Sequence, residues 1–191
     1  MVPEADIQPA RALVQEAPPW LERVTTQYNV AQDRIRLAGE LPGGGQVVLW
    51  LTQRLLHRLL PPLLAWLQEQ GGAANTVAVQ ALYADALQGF AQQAARAQMQ
   101  PQAPVQVPAG GLSCLVEGVD MRRAPEAVQL VFRDAQGAVV AAMVLQAQPL
   151  RQWLNILFDA WQQAEWPPDA WPAWLRAGVP TRVVSAGGLV H

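Results

Sequence analysis

The chain contains no lysine; all 13 of its basic residues are arginine. A Walker-type phosphate loop, Schiff-base chemistry with pyridoxal phosphate and a protein-kinase core each depend on a lysine, so those three classes are excluded. A GC-rich genome also writes arginine-only, Ala-, Gln- and Leu-rich chains, so the absence excludes functions without naming one. A single cysteine, Cys114, leaves no internal disulfide and no cysteine-based zinc site. Histidine is nearly absent too, with His57 and the terminal His191 alone. The neighbours of His57 three and four residues away are Arg54, Gln53, Leu60 and Pro61, which offer neither a metal-ligand set nor a carboxylate to polarise it.

Charge is scarce and balanced. Thirteen basic and 15 acidic residues give a formal charge of −2, so no global field draws the chain to nucleic acid or anionic lipid. The arginines are scattered without an aromatic-basic platform, and nucleic-acid binding is not expected. Long uninterrupted apolar runs are missing as well. Residues 47–67 come nearest, but Arg54, His57 and Arg58 interrupt them, each expensive at a bilayer centre. The start, MVPEADIQPARALVQEAPPW, lacks the apolar core of a signal peptide, so a cytoplasmic protein is expected.

Apolar residues, by contrast, make up 51% of the chain against 15% charged, enough for a sizeable core. Prolines 3, 9, 18 and 19 mark residues 1–32 as an N-terminal arm, with a short amphipathic piece around Ala10–Glu16. Residues 33–100 read as a hairpin-helix-helix unit. RIRLAGEL alternates apolar and polar, PGGG is a turn, QVVLWL is a second β-run, and Thr52 caps a helix to about Gln70 closed by Gly71-Gly72. Pro61-Pro62 is expected to kink that helix or split it into two pieces. A third helix from Asn75 to Gln98 carries a narrow apolar stripe through Val79, Leu82, Ala86, Phe90 and Ala94.

Residues 101–111, PQAPVQVPAGG, form a linker, and 112–165 a second strand-hairpin-helix unit turning at Gln136-Gly137. Residues 166–191 are a Trp- and Pro-rich C-terminal segment. Shifting the sequence by 94 places sets Gly43 opposite Gly137, Leu51 opposite Leu145, Leu60 opposite Leu154 and Leu64 opposite Phe158. The fold class expected is therefore α+β. Antiparallel β-hairpins pack against two long amphipathic helices as a candidate pseudo-duplicated unit, with a third helix and Pro-rich arms.

The constellations that suggest chemistry have plainer readings. LPGGGQ feeds a β-run rather than a helix and lacks the Gly-x-Gly-x-x-Gly spacing, so it is a hairpin turn, not a phosphate cradle. Glu117, Asp120 and Glu126 beside Arg122 and Arg123 match neither a calcium loop nor a paired-acid hydrolase, and read as a solvated loop. Cys114 lies in an alternating apolar strand, where a structural role is expected. No catalytic residue, cofactor or metal is assigned.

Eight tryptophans are more than ordinary usage. Trp166, Trp171 and Trp174 sit in a segment that either wraps its own domain or presents anchors to a partner. The first helix has Arg54, His57 and Arg58 on its polar side and a leucine arc wider than one sheet face covers. Trp166, Trp171, Trp174, Leu56, Leu63 and Trp66 are accordingly the candidate partner-binding residues. The leading expectation is a non-enzymatic interaction protein, an adaptor, assembly factor or accessory subunit, binding another protein or itself. The alternatives are a peripheral membrane protein using the Arg54/His57/Arg58 helix and an enzyme with a site assembled from dispersed Asp, Glu and Arg.

Overall fold

The computed structural model describes residues 18–70 and 78–176, with only the backbone of 78–82. The amphipathic piece at 10–16, the Gly71-Gly72 stop, the Asn75 cap and the tail from 177 lie outside them. The fold is α+β, as the periodicity predicts. Three strands, β1 (Arg23–Asn29), β2 (Arg34–Glu40) and β3 (Gln46–Leu51), lead into α1 (Gln53–Gln70) and α2 (Ala78–Ala97). Four more, β4 (Leu112–Leu115), β5 (Gly118–Arg123), β6 (Ala127–Arg133) and β7 (Val139–Gln146), lead into α3 (Ala147–Gln163). A 3-10 turn at Pro168–Ala170 and the short α4 (Ala173–Arg176) follow.

Both hairpins form where turn chemistry places them. Gly43 and Gly44 take φ of 83° and 85° in the first turn, and Gly137 takes 78° in the second, a region costly for side chains with a Cβ. The Asp134 carboxylate accepts hydrogen bonds from the Gln136 and Ala138 amides and so closes the second turn. Each half runs strand-strand-strand-helix with antiparallel pairing, Leu37 facing Leu49 in the first and Leu130 facing Met143 in the second; under the 94-place shift Leu37 corresponds to Val131, so the two registers differ by one residue.

The first strand corrects the expected arm. Residues 23–29, RVTTQYN, pair along their whole length with β2. Val24, Thr25, Thr26 and Tyr28 favour that extended state, although the prolines just before them read as a loose segment. Just upstream the chain also reaches the other half. Trp20 bridges Ala142 of β7 in parallel, the Leu21 amide donates to the Ala142 carbonyl at 2.7 Å, and the Ala142 amide donates to Pro19 at 2.9 Å. LSCLVEGVDM crosses in the same way. Its first part, β4, pairs in parallel with β3, and after Val116 and Glu117 its second part, β5, pairs antiparallel with β6. The four-stranded and three-stranded sheets are thus stitched together at both crossings. Leu21 lies directly over Gly39, where an added Cβ would come within 2.5 Å of its side chain.

The helices cover one continuous core drawn from both halves. Thr52 caps α1 as expected, its hydroxyl accepting from the Leu55 amide. Pro61 and Pro62, however, lie inside one unbroken helix. Two lost backbone donors cost about 3 kcal/mol or more at such a site, whereas Leu56, Leu59, Leu60, Leu63, Leu64, Trp66 and Leu67 are all buried, each contributing about 1.5–3 kcal/mol. Burial wins. Pro61 is exposed, so the carbonyl it leaves without an internal partner lies on the side that faces water. The expected linker is packed rather than loose: Val105 is buried, its amide donates to the Thr25 hydroxyl, and Arg23 donates to the Ala103 carbonyl.

Closure of the leucine arc inside the chain sets an expected outcome. Leu56→Ala and Leu63→Ala should each lower unfolding free energy by about 2–5 kcal/mol in urea titrations, while Arg58→Ala on the exposed side should stay within about 0.5 kcal/mol. Leucine variants of wild-type stability would show that the arc is not core.

Candidate functional site on the outer face of the second helix

The residues first singled out for partner binding are spent inside the fold. Leu56, Leu63 and Trp66 are buried in the core, and so are Trp166, Trp171 and Trp174. The C-terminal tryptophans wrap the domain. Trp161 stands at the centre, edge-on to Trp166 and Trp171 with ring centroids 5.0 and 5.7 Å away, and its indole N–H donates to the Trp166 and Pro167 carbonyls. Trp166 donates to the Asp33 carboxylate at 3.1 Å, in the β1–β2 turn where Asp33 takes a φ of 47°. Tyr28 donates to the same oxygen, which holds its phenol above the usual pKa.

Among the described residues the indole nitrogens of Trp171 and Trp174 are buried without a hydrogen-bond acceptor. Each orphan donor costs about 1–3 kcal/mol. A buried indole removes about 200 Å² from water, about 5 kcal/mol at 25 cal/mol/Å², so burial still prevails.

His57 does not belong to a free polar side either; it is half-buried with its ring edge-on to Trp161 at 5.0 Å. Arg54 and Arg58 are exposed, but the helix that carries them has its leucine face in the core and none left to enter a bilayer. Among the described residues no helix is long and apolar enough to cross a membrane. Asp120 lies on β5 and pairs with Arg133, and Arg123 pairs with Glu69, so these two tie elements together, whereas Glu117 and Glu126 are exposed between strands as expected. Cys114 is half-buried, burial pushes its thiol up, and it donates to the Leu115 carbonyl. That is the setting of an inert thiol. A groove of about 670 Å³ lies between β1 and the 98–104 segment, and its one charged lining residue, Arg23, is already paired with Glu40.

The feature that remains is α2. Its inner face carries two buried amides, Gln88 and Gln92, beside the buried Ala95. Arg151 of α3 is 6% exposed, and its guanidinium donates to the side-chain oxygens of Gln88 and Gln92, both buried on α2. Gln92 returns a bond to the Arg151 carbonyl at 2.9 Å, Gln88 reaches the Leu67 carbonyl at the end of α1, and the Trp174 ring lies 5.9 Å from the guanidinium carbon. Among the described residues Arg151 meets no carboxylate. Desolvation lowers its pKa, and the two amide oxygens and the indole face carry the stabilisation of the charge.

With Gln88 and Gln92 turned inward, the opposite face of α2 points to solvent. That face is apolar: Tyr83 is 70% exposed, Leu87 58% and Phe90 69%, with Ala86, Ala94 and Ala97 exposed between and beyond them. Other large exposed apolar side chains, such as Val30, Leu112 and Val144, lie apart from α2; scattered ones are ordinary, whereas those on α2 form one aligned stripe. The sequence shows a stripe on this helix through Ala86, Phe90 and Ala94, but Tyr83 and Leu87 were missed as site residues. The spacing Tyr83, Leu87, Phe90, Ala94, Ala97, alternating four and three, was the available signal.

The chain matches no family model, no curated protein and no solved structure.

The inward amides can be tested directly. Gln88→Leu leaves the buried guanidinium short of an acceptor and should cost about 1.5–3 kcal/mol in urea unfolding. Replacing the whole set, Arg151→Met with Gln88→Leu and Gln92→Leu, should recover most of that loss, because an apolar set of similar volume carries no desolvated charge. A Gln88→Leu protein as stable as wild type would remove the amide–guanidinium contact as the reason for the orientation of α2.

Proposed function

We propose that the chain is a non-enzymatic interaction protein, an adaptor, assembly factor or accessory subunit working inside the cell, and that the outer face of α2 is its contact surface. The observation that carries this is the exposure of Tyr83, Leu87 and Phe90 along one line of a helix whose polar residues are turned inward. Leaving such a stripe in water opposes solubility, and a helical apolar stripe with anchors every three or four residues is the form that helix-to-helix and helix-to-groove recognition takes. Tyrosine and phenylalanine supply large contact area at little rotamer cost, which suits them to the centre of an interface.

A photo-crosslinking amino acid at position 87 or 90, introduced into the full chain in its native cells, should give a discrete adduct. The same group at Arg58 should give none. Leu87→Glu should abolish the adduct formed through position 90 while the thermal midpoint stays within a few degrees of wild type. Equal labelling at all three positions, or none at any, would count against α2 as the contact surface.

A further inference from the structure

We infer that the occupant of the α2 face is a second copy of this chain, its α2 lying antiparallel across a two-fold axis. This rests on the reading of α2 as an interaction surface and names its partner. The alternating four-three spacing of Tyr83, Leu87, Phe90 and Ala94 is the repeat with which two helices interlock side chains along a left-handed seam. The sizes of these side chains then choose the direction. In the antiparallel arrangement Leu87 faces the partner subunit's Phe90, and Tyr83 faces the partner subunit's Ala94, so every layer joins side chains of unlike size. The parallel arrangement would stack Tyr83 on its twin and Phe90 on its twin, and would leave Ala94 facing Ala94 across a gap.

The borders of the stripe fit self-pairing as well. Ala84, Ala86, Ala91 and Gln93 flank it, so close approach is unhindered and no charge meets its own copy. At 100° per residue, Asp85 and Arg96 lie about 200° and 220° from Tyr83, on the side turned away from the seam. Recognition of a different protein commonly draws on a charged rim for specificity; this stripe has none. Tyr83, Leu87 and Phe90 are 70%, 58% and 69% exposed, on the order of 100–150 Å² each, so with the alanine borders complete coverage in two copies would bury about 1,000 Å², the lower limit for a specific interface. A dimer of this size falls at the weak, reversible end of specific interfaces.

Sedimentation equilibrium of the purified full chain over a concentration series should show a reversible monomer–dimer equilibrium. Leu87→Glu, and independently the milder Leu87→Ser, should remain monomeric at about a hundredfold higher concentration with an unchanged thermal midpoint. In a Cys114→Ser background, Tyr83→Cys mixed with Ala94→Cys should form a cross-linked dimer under mild oxidation, and Tyr83→Cys alone should not. Cross-linking of Tyr83→Cys alone would overturn the antiparallel arrangement. A wild-type chain that stays monomeric near millimolar concentration would overturn self-pairing altogether. In that second case a position-87 adduct of a mass other than twice the chain leaves the interaction reading standing, whereas no adduct removes both.

Discussion

The arrangement of the outer layer depends on one buried cation. Arg151 on α3 is 6% exposed, and a guanidinium so buried must find acceptors or carry a desolvation penalty of several kcal/mol. α2 supplies them through Gln88 and Gln92. An amphipathic helix on a domain surface normally turns its apolar stripe inward. Here the requirement of the cation fixes the rotation of the helix the other way, and the apolar side is left outside as a consequence. The same contact draws in Trp174, whose ring covers the guanidinium and whose Cβ lies 3.8 Å from where a Cβ on Gly89 would stand. A Cβ at Gly89 would meet Trp174 at ordinary contact distance, so α2, α3 and α4 meet at this point.

Beneath that layer the two halves cannot be separated without exposing the core. Each sends a short stretch across to pair with the other: 19–21 onto β7, and β4 onto β3 ahead of β5. Trp153 of α3 donates to the Thr26 hydroxyl on β1, so a second-half helix rests on a first-half strand. Arg123 of β5 donates to the Pro62 carbonyl and pairs with Glu69, tying a second-half strand to a first-half helix. This reciprocal crossing explains why the leucine arc of α1, too wide for one sheet face, has no surplus. Strands and helices from both halves close it.

The hairpins and α1 were legible because their signals are local: period-two alternation, glycine turns at 43–44 and 137, and a threonine cap. Features governed by distant contacts were not. β1 has β-favouring residues at 24–28, but Pro18-Pro19 just before it masks that signal, and 19–21 are held by β7 of the other half. The continuity of α1 through Pro61-Pro62 depends on core burial that no local rule weighs. The C-terminal tryptophans carry one composition whether they wrap or project, and only the position of Trp161 and the Asp33 turn decides that they wrap. The stripe on α2 was visible as a pattern, but its direction depends on an arginine about sixty residues away in sequence.

These contacts together narrow where function can lie. The aromatic residues that first looked like anchors are used to close the core over α1 and α3, and they do so even where two indole donors go unmatched. Asp120 and Arg123 of β5 and Arg133 of β6 are engaged in pairs that hold elements in place. What the fold leaves unspent is a run of large apolar side chains on a helix fixed from behind by buried polar bonds. A helix so anchored presents its outer face with little freedom to lose on contact, which reduces the ordering cost that otherwise opposes binding through a small surface. A rigid, uncharged stripe of about this area gains most from a partner that matches its spacing, and another copy of the same helix does so by construction.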